Sequence, residues 1–397
     1  MDWDKRNIIE KGNYDVIVVG GGIAGISAAV SAARNNLSVL LIEKNVNLGG
    51  LATVGLISWY EPLCDGEGKQ MIGGICEELI KLSAKYGFDN LPSKWGGSGE
   101  FPSSNERYST YFSPTVFSLA LDEYVLENGV KIRFDTLGVY PVMEGTHAIG
   151  VICESVEGKE FFGAKVIIDA SGTAVVMERA GVPTVVGNNF MSYVAHGYQV
   201  ENAENLKETG NTCKFRKWIG VGSDMFGTGA EKNMRELKGI TADDVTKYIL
   251  RGKKGLLKKI KEYEKNSYDI MTLPGMAQFR TIRRIVGKTD FNAIDGEIFE
   301  DSIGSCGDFR PNGKGKHYQL PFGALYNEKF DNLIAAGRIV SSPQGDGWEV
   351  ARVIPVCALT GEAAGNAASL VVKNSVKVAE INIKELQKLQ KNNGVLF

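Results

Sequence analysis

Histidine is nearly missing from this chain: three in 397 residues, His147, His196 and His317, far apart in sequence. The six cysteines, Cys64, Cys76, Cys153, Cys213, Cys306 and Cys357, include no CxxC pair, so neither a zinc nor an iron–sulfur site is expected. The same scatter offers no disulfide framework, and a reduced, cytoplasmic chain is the expectation. Charge of one sign is absent too. With 45 basic and 47 acidic residues and a net charge of −2, there is no footprint for a nucleic-acid partner. The first fifteen residues carry acids and no apolar core, so no secretory signal is expected in them. The one stretch that resembles a membrane span, the eighteen uncharged residues Val16 to Ala33, holds four glycines and two serines and reads as strand, turn and helix, so no membrane span is expected. No GxSxG elbow occurs, which removes support for hydrolysis. No feature of the sequence sets an oligomeric state.

Glycine, by contrast, is in excess: 48 residues, where average usage is roughly 7%. Backbone that turns tightly or lies against a ligand is the physical use for such an excess. Tyr14 to Val19 (YDVIVV) is the β-branched run of a strand buried on both faces. GGGIAG follows, then a small and apolar stretch to Arg34 that suits a helix packed closely on a sheet, then a second buried strand, Ser38 to Lys44. Together they form a βαβ unit. A second glycine loop, LGGLATVGL, precedes two helical patterns, IGGICEELIKLSAKYG and PTVFSLALDEYVLENG, the latter with Gly129 as C-cap. KIRFD, GVYPVM, AIGVICESV and KEFFGAKVIIDAS read as a β-meander returning to the central sheet. Asn188 to Met271 is more polar and mixed, and contains a clear helix from Thr241. After Phe330 come another buried strand, a small-residue helix (GEAAGNAA) and a short amphipathic tail helix.

Gly20, Gly22 and Gly25 form GxGxxG around Ile23 and Ala24, between strand and helix. The first glycine permits the turn, the second lets a pyrophosphate approach the backbone, and the third allows helix and strand to pack closely. The helix N-terminus then offers free N–H groups to the phosphates. Glu43, at the end of the second strand, is placed to accept bonds from an adenosine ribose, where a 2′-phosphate would be repelled.

On these residues the chain resembles the FAD-dependent oxidoreductases with the glutathione-reductase-type fold, and more narrowly those carrying GGGIAG, LGGLAT, IIDASG, FRTIRRIVG, YQLPFGAL and NLIAAGR…ARVIPVCALTGEAAGNAA. These run in order from Asp15 to about Leu370. The resemblance implies an α/β protein: a Rossmann-like FAD-binding domain, parallel sheet plus β-meander, with an inserted α+β substrate or cap domain. The expected boundaries are 13–187 and 271–375 for the FAD-binding part and 188–270 for the cap, with parts of 60–110 and 288–325, and 376–397 as a helical tail. FAD would lie with Glu43 and Lys44 at its adenosine, and Gly49, Gly50, Leu51, Ala52 and Thr53 beside pyrophosphate and flavin. Ala170 and Gly172 would lie against the adenylate half. Where many relatives end the late strand in Gly-Asp, this chain has Gly337-Arg338; Asp346 either supplies the missing acid or is a loop carboxylate in water. Arg352, Val353 and Ile354 would open the last helix towards the flavin N1–C2=O edge, where reduction leaves negative charge.

The implied activity is hydride transfer between flavin N5 and a small organic substrate of unspecified identity. The rivals are a non-catalytic FAD-binding or assembly protein and an NAD-dependent dehydrogenase. Candidate catalytic groups are His317 and Tyr318 in KHYQLPF, for proton transfer, and Arg280 and Arg283 in FRTIRR, which would share a helix face and grip a carboxylate, a phosphate or an interdomain acid. Trp59, Tyr60 and Glu61 either line the flavin face or are core aromatics with a rim acid. The glycine clusters at Gly220 to Gly229 and Gly304 to Gly315 lack a preceding β-branched strand and a following small-residue helix. A second nucleotide unit is therefore not expected, which leaves either a separate electron donor or acceptor or the enzyme's own substrate pair.

Overall fold

The computed structural model describes residues 8–97, 107–224, 228–229, 237–343 and 345–397. The expected βαβ unit is β1 (Ile9–Val19), α1 (Ile23–Arg34) and β2 (Val39–Ile42). Along β1, Val16 and Val18 join the core on one face of the sheet and Ile17 and Val19 join the core on the other, the two-residue alternation of a strand covered on both sides. β1 pairs in parallel with β2 and with the strand Gly158–Asp169. Lys131–Arg133 extends the sheet beyond β2, and Leu333–Ala335 extends it beyond Gly158–Asp169, both in parallel. The centre is therefore a five-stranded parallel sheet.

KIRFD thus departs from expectation: it is the outer parallel strand, reached through the helix Pro114–Glu127, and not part of the meander. A parallel neighbour needs a crossover, which that helix supplies. The meander consists of Leu137–Glu144, His147–Ser155 and the first half of Gly158–Asp169. This last strand lends its beginning to the meander and its end, Ile167 to Asp169, to Leu333–Ala335.

One face of the sheet is covered by α1 and the helix Ile354–Asn374. They meet backbone to backbone. A Cβ on Gly361 would stand 2.1 Å from the Ala24 carbonyl oxygen, and one on Gly365 2.3 Å from that of Ala28. The small residues of GEAAGNAA are a packing requirement. The tail helix Ile383–Asn392 is tied to this layer by Gln390, which accepts from Asn366 at 2.6 Å and donates to the Ile303 carbonyl at 2.9 Å.

A second sheet is antiparallel, with Ser192–Gln199 between Arg216–Gly222 and Tyr268–Thr272. The helix Ala242–Ile260, capped by Thr241, packs on it through Tyr248 and Leu256. Among the described residues no helix is long and apolar enough to cross a membrane, and no group of three or more His, Cys, Asp or Glu side chains is placed to hold a metal ion.

Candidate active site

The three motif glycines answer to different neighbours. Gly20 has φ +104, and a Cβ there would lie 2.5 Å from the Ala170 carbonyl oxygen; a Cβ on Gly25 would lie 1.8 Å from the Gly20 carbonyl oxygen. The protein's own backbone demands glycine at both. A Cβ on Gly22 would meet nothing within 4 Å. The second glycine opens onto space, the cradle a pyrophosphate needs.

That space is part of a long trough of three adjoining cavities. The outer one, about 230 Å³, lies between Glu43, Lys44, Thr136, Val139 and Arg179, and shares Gly20, Glu43 and Lys44 with the middle one. The middle section runs past Gly22, Ile23, Ala24, the second glycine loop (Gly49, Gly50, Leu51, Ala52), Ala170, Gly172 and Gly337. The inner cavity, about 520 Å³, shares Leu51, Ala52, Arg338, Arg352 and Ile354 with it. Glu43, 5% exposed, accepts from Gly21 N at 2.6 Å and from Asn45 N and Nδ2 at 2.8 and 2.7 Å. These bonds fix the carboxylate at the trough wall and leave acceptor capacity on Oε2, which takes a single one of them.

Arg338, where many relatives carry an acid, has a structural part. It is buried, donates to the carbonyls of Gly172 (2.7 Å) and Phe279, and its own carbonyl accepts from Trp348 Nε1 at 2.8 Å. Burial pushes its guanidinium down to about 10. Asp346 does not supply the missing acid: it pairs with Arg310 outside the trough. Thr53 is buried and bonds the Leu48 carbonyl, so its side chain closes the loop instead of facing a ligand. Val353 is the buried N-cap of the last helix and lines no part of the trough.

The catalytic candidates separate sharply. Tyr318 is buried and donates to Asp308 Oδ2 at 2.9 Å, within the Asp308–Arg310 pair. His317 lies next to it on the strand His317–Pro321, its backbone N–H bonded to Asp295. Neither lines the trough or the inner cavity. FRTIRR is not helical: Arg283 lies in the strand Arg283–Ile285 and faces Glu178 at 3.8 Å, so it does not share a face with Arg280. The β-branched Thr281, Ile282 and Ile285 favour extended backbone there.

Arg280 does reach the inner cavity. It stacks over Phe190 at 4.2 Å and donates to the Asp224 carbonyl at 2.8 Å, while its Nη1 is buried without a partner. Burial first, and Arg352 second, push it down to about 10. On the short strand Trp59–Tyr60 and the residue after it the side chains alternate. Tyr60 enters the core and bonds the Cys76 carbonyl at 2.9 Å, and Trp59 and Glu61 face the cavity. Glu61 is 7% exposed and accepts from Ile354 N at 3.1 Å, so the last helix presents its first N–H to a carboxylate of this chain. Burial raises Glu61 to about 7. Sequence reasoning missed that contact, which joins residues 293 positions apart. It also missed Gln278, which donates to the Gly55 carbonyl at 2.6 Å and accepts from Val194 N at 2.8 Å, tying the second sheet to the second glycine loop; no local signal marks it.

A Rossmann-like parallel sheet whose glycine turn opens onto a long trough defines a dinucleotide-binding protein. The model of the FAD-dependent oxidoreductase family matches residues 15–232 and 231–390. The chain belongs to that family, and its cofactor is FAD. It is 28% identical over 184 residues to digeranylgeranylglycerophospholipid reductase of Methanoculleus marisnigri, covering 44% of this chain and 43% of that protein. It is 33% identical over 78 residues to thioredoxin reductase of Bacillus subtilis, 20% of this chain and 25% of that one. The matches therefore span less than half the length of either relative. Among solved structures, a geranylgeranyl bacteriochlorophyll reductase-like protein of Thermoplasma acidophilum aligns with a TM-score of 0.49 at 15% identity, over 96% of this chain and 83% of that one.

Proposed function

We propose that FAD lies along the trough and that the chain transfers a hydride between flavin N5 and a small organic acid held in the inner cavity. The observation that carries this reading is the meeting of trough and cavity at Leu51, Ala52, Arg338, Arg352 and Ile354, next to an Arg280 guanidinium with a buried, unpartnered Nη1. A buried donor without a partner is costly, and a substrate carboxylate would satisfy it. FAD supplies the two-electron chemistry when bound.

Every other task falls to the chain. Glu43 and Lys44 hold the adenosine end, and the bare backbone of Gly22 lets the pyrophosphate pass. Arg280 orients the substrate by its carboxylate. Glu61, buried and shifted to about 7, takes or gives the substrate's proton near neutral pH. In this reading 13–187 with 271–375 is the cofactor-binding part and 188–270 the substrate-facing part, and electrons leave through a separate donor or acceptor.

The test is anaerobic mixing of the yellow protein with a panel of 2-hydroxy acids, 2-amino acids and unsaturated acids, each paired with its amide, following the flavin band in the oxidised and photoreduced protein. Saturable bleaching or reoxidation by an acid, absent with its amide and weakened in Arg280→Gln, is expected. A protein that keeps FAD and responds to none of them would favour the non-catalytic reading; a colourless protein that binds NAD would overturn both.

A further inference from the structure

The strand Ser192–Gln199 sends residues 192, 194 and 196 to one face. Ser192 and Val194 line the inner cavity, and His196 lines a different one, of about 700 Å³, which the proposed reaction does not use. An aromatic partition lies between them: Trp218 stacks on His196 with centroids 5.9 Å apart and meets Tyr111 edge-on at 6.0 Å, and both Trp218 and Tyr111 line the inner cavity.

Three independent features of this second cavity await a ligand. Arg216 lies over the Phe88 ring at 4.6 Å and donates through Nη1 to the Phe112 carbonyl at 3.0 Å, while its Nε is buried without a partner. Among the described residues, the groups that act electrostatically on it are Cys213 and Tyr111, and neither is a carboxylate. His196 is 2% exposed and its Nε2 has no partner, while the ring bonds the Leu56 backbone. Burial, with Arg216 nearby, pushes it down to about 3, so the ring is neutral and Nε2 is a bare acceptor. Finally, Ser113 to Val116 line the cavity as the first turn of the fourteen-residue helix Pro114–Glu127, and the Ser113 side chain makes no capping bond. That turn leaves N–H groups and a positive dipole end facing the cavity. Phe88, Val116, Phe215 and Met271 supply apolar wall.

We propose that this cavity is a second binding site, for an organic carboxylate that also carries a hydrogen-bond donor. The carboxylate would lie between Arg216 and the helix N-terminus, a hydroxyl or N–H would donate to His196 Nε2, and the apolar body would rest on the aromatic wall. The pairing follows from the groups themselves: an uncompensated guanidinium and an uncapped helix end both select an anion, and a neutral imidazole nitrogen selects a donor. The site does not depend on the proposed hydride transfer.

The test is titration calorimetry of the FAD-loaded full chain with 3-phenyllactate, 3-phenylpropanoate and inorganic phosphate, in the parent, Arg216→Gln, Arg280→Gln and Thr115→Trp. Thr115 is exposed at the mouth, so its indole blocks the cavity without entering the core. Saturable binding of phenyllactate is expected, tighter than phenylpropanoate, weakened about tenfold or more in Arg216→Gln, lost in Thr115→Trp and kept in Arg280→Gln. If Arg216→Gln loses its FAD or its fold, the Thr115→Trp comparison decides. No saturable binding of any probe up to ~10 mM, a range that covers weak specific sites, would overturn the proposal. So would binding that Thr115→Trp leaves intact, or that only Arg280→Gln abolishes.

Discussion

The layer around α1 and the second sheet bury their polar atoms in opposite ways. Around α1, contacts are backbone on backbone, Gly25 against Gly20, Gly361 against Ala24, Gly365 against Ala28, and the side-chain hydroxyls are used up locally: Ser27 bonds the Ile23 carbonyl and Ser31 the Glu362 carbonyl. Beside the second sheet the buried polar atoms include Tyr193 OH, His196 Nε2, Arg216 Nε and Arg280 Nη1, all without partners. The frame leaves Glu362 Oε1 open, but its backbone contacts hold one geometry, whereas polar groups left open cost free energy until something fills them. In the proposed reading the first region fixes the cofactor's path and the second receives what meets it.

The comparison breaks first at Gly25. Valine there forces a branched side chain into the Gly20 carbonyl, so Gly25→Val should lose several kcal/mol, on the order of the largest overpacking penalties. Loss of the folded baseline in a thermal melt, or an insoluble product, is expected; a parent-like melt would show that the turn can yield.

A smaller effect sharpens the other side of the comparison. Glu61, at about 7, should set one limb of the pH profile. In the oxidative direction kcat rises with pH through about 7, because the carboxylate must be free to take a proton; in the reductive direction it falls through the same value. Glu61→Gln should flatten that limb in both directions. An unchanged profile would remove Glu61 from the reaction.

The smallest effect lies in the frame itself. Glu362 is fully buried on the last helix and accepts from Ile75 N at 2.9 Å, and burial raises it to about 8. A carboxyl whose folded value exceeds its unfolded one contributes stability at low pH and loses it as pH rises from about 4.5 through 8. Glu362→Gln should therefore be increasingly stabilised relative to the parent across that range, by about 1–3 kcal/mol at its upper end. Denaturant melts at three pH values measure it, and parallel curves would contradict the assignment.

The frame was legible in sequence because its demands are local. Alternating β-branched residues, three glycines at fixed offsets and a small-residue helix each follow from one element touching another, and α1 spans Ile23–Arg34, where the small apolar run ends. KIRFD was misplaced because nothing in three to five β-branched and charged residues says whether the neighbour runs parallel; the preceding helix decides. Arg280 and Arg283 have helical spacing, but Arg283 lies in a short strand and Arg280 at a bend before it, so the two share no face. His317 and Tyr318 suited proton transfer by residue type, but type does not reveal that Asp308 and Asp295 already hold that segment. Glu61 was legible only as a carboxylate after a glycine loop; its partner, Ile354 N, is distant in sequence and a backbone atom, and so leaves no trace in composition.

The central claim is that Gly22 faces open space because the dinucleotide runs there. Parent and Gly22→Val, purified in parallel, should be compared by flavin absorbance, by FAD released on denaturation and by the melt of the FAD-stripped forms. The expected result is about one FAD per parent chain, none in the variant, and closely similar melts once FAD is removed, since a Cβ at this position meets nothing within 4 Å. A Gly22→Val protein that remains yellow, with FAD bound as in the parent, would contradict the account.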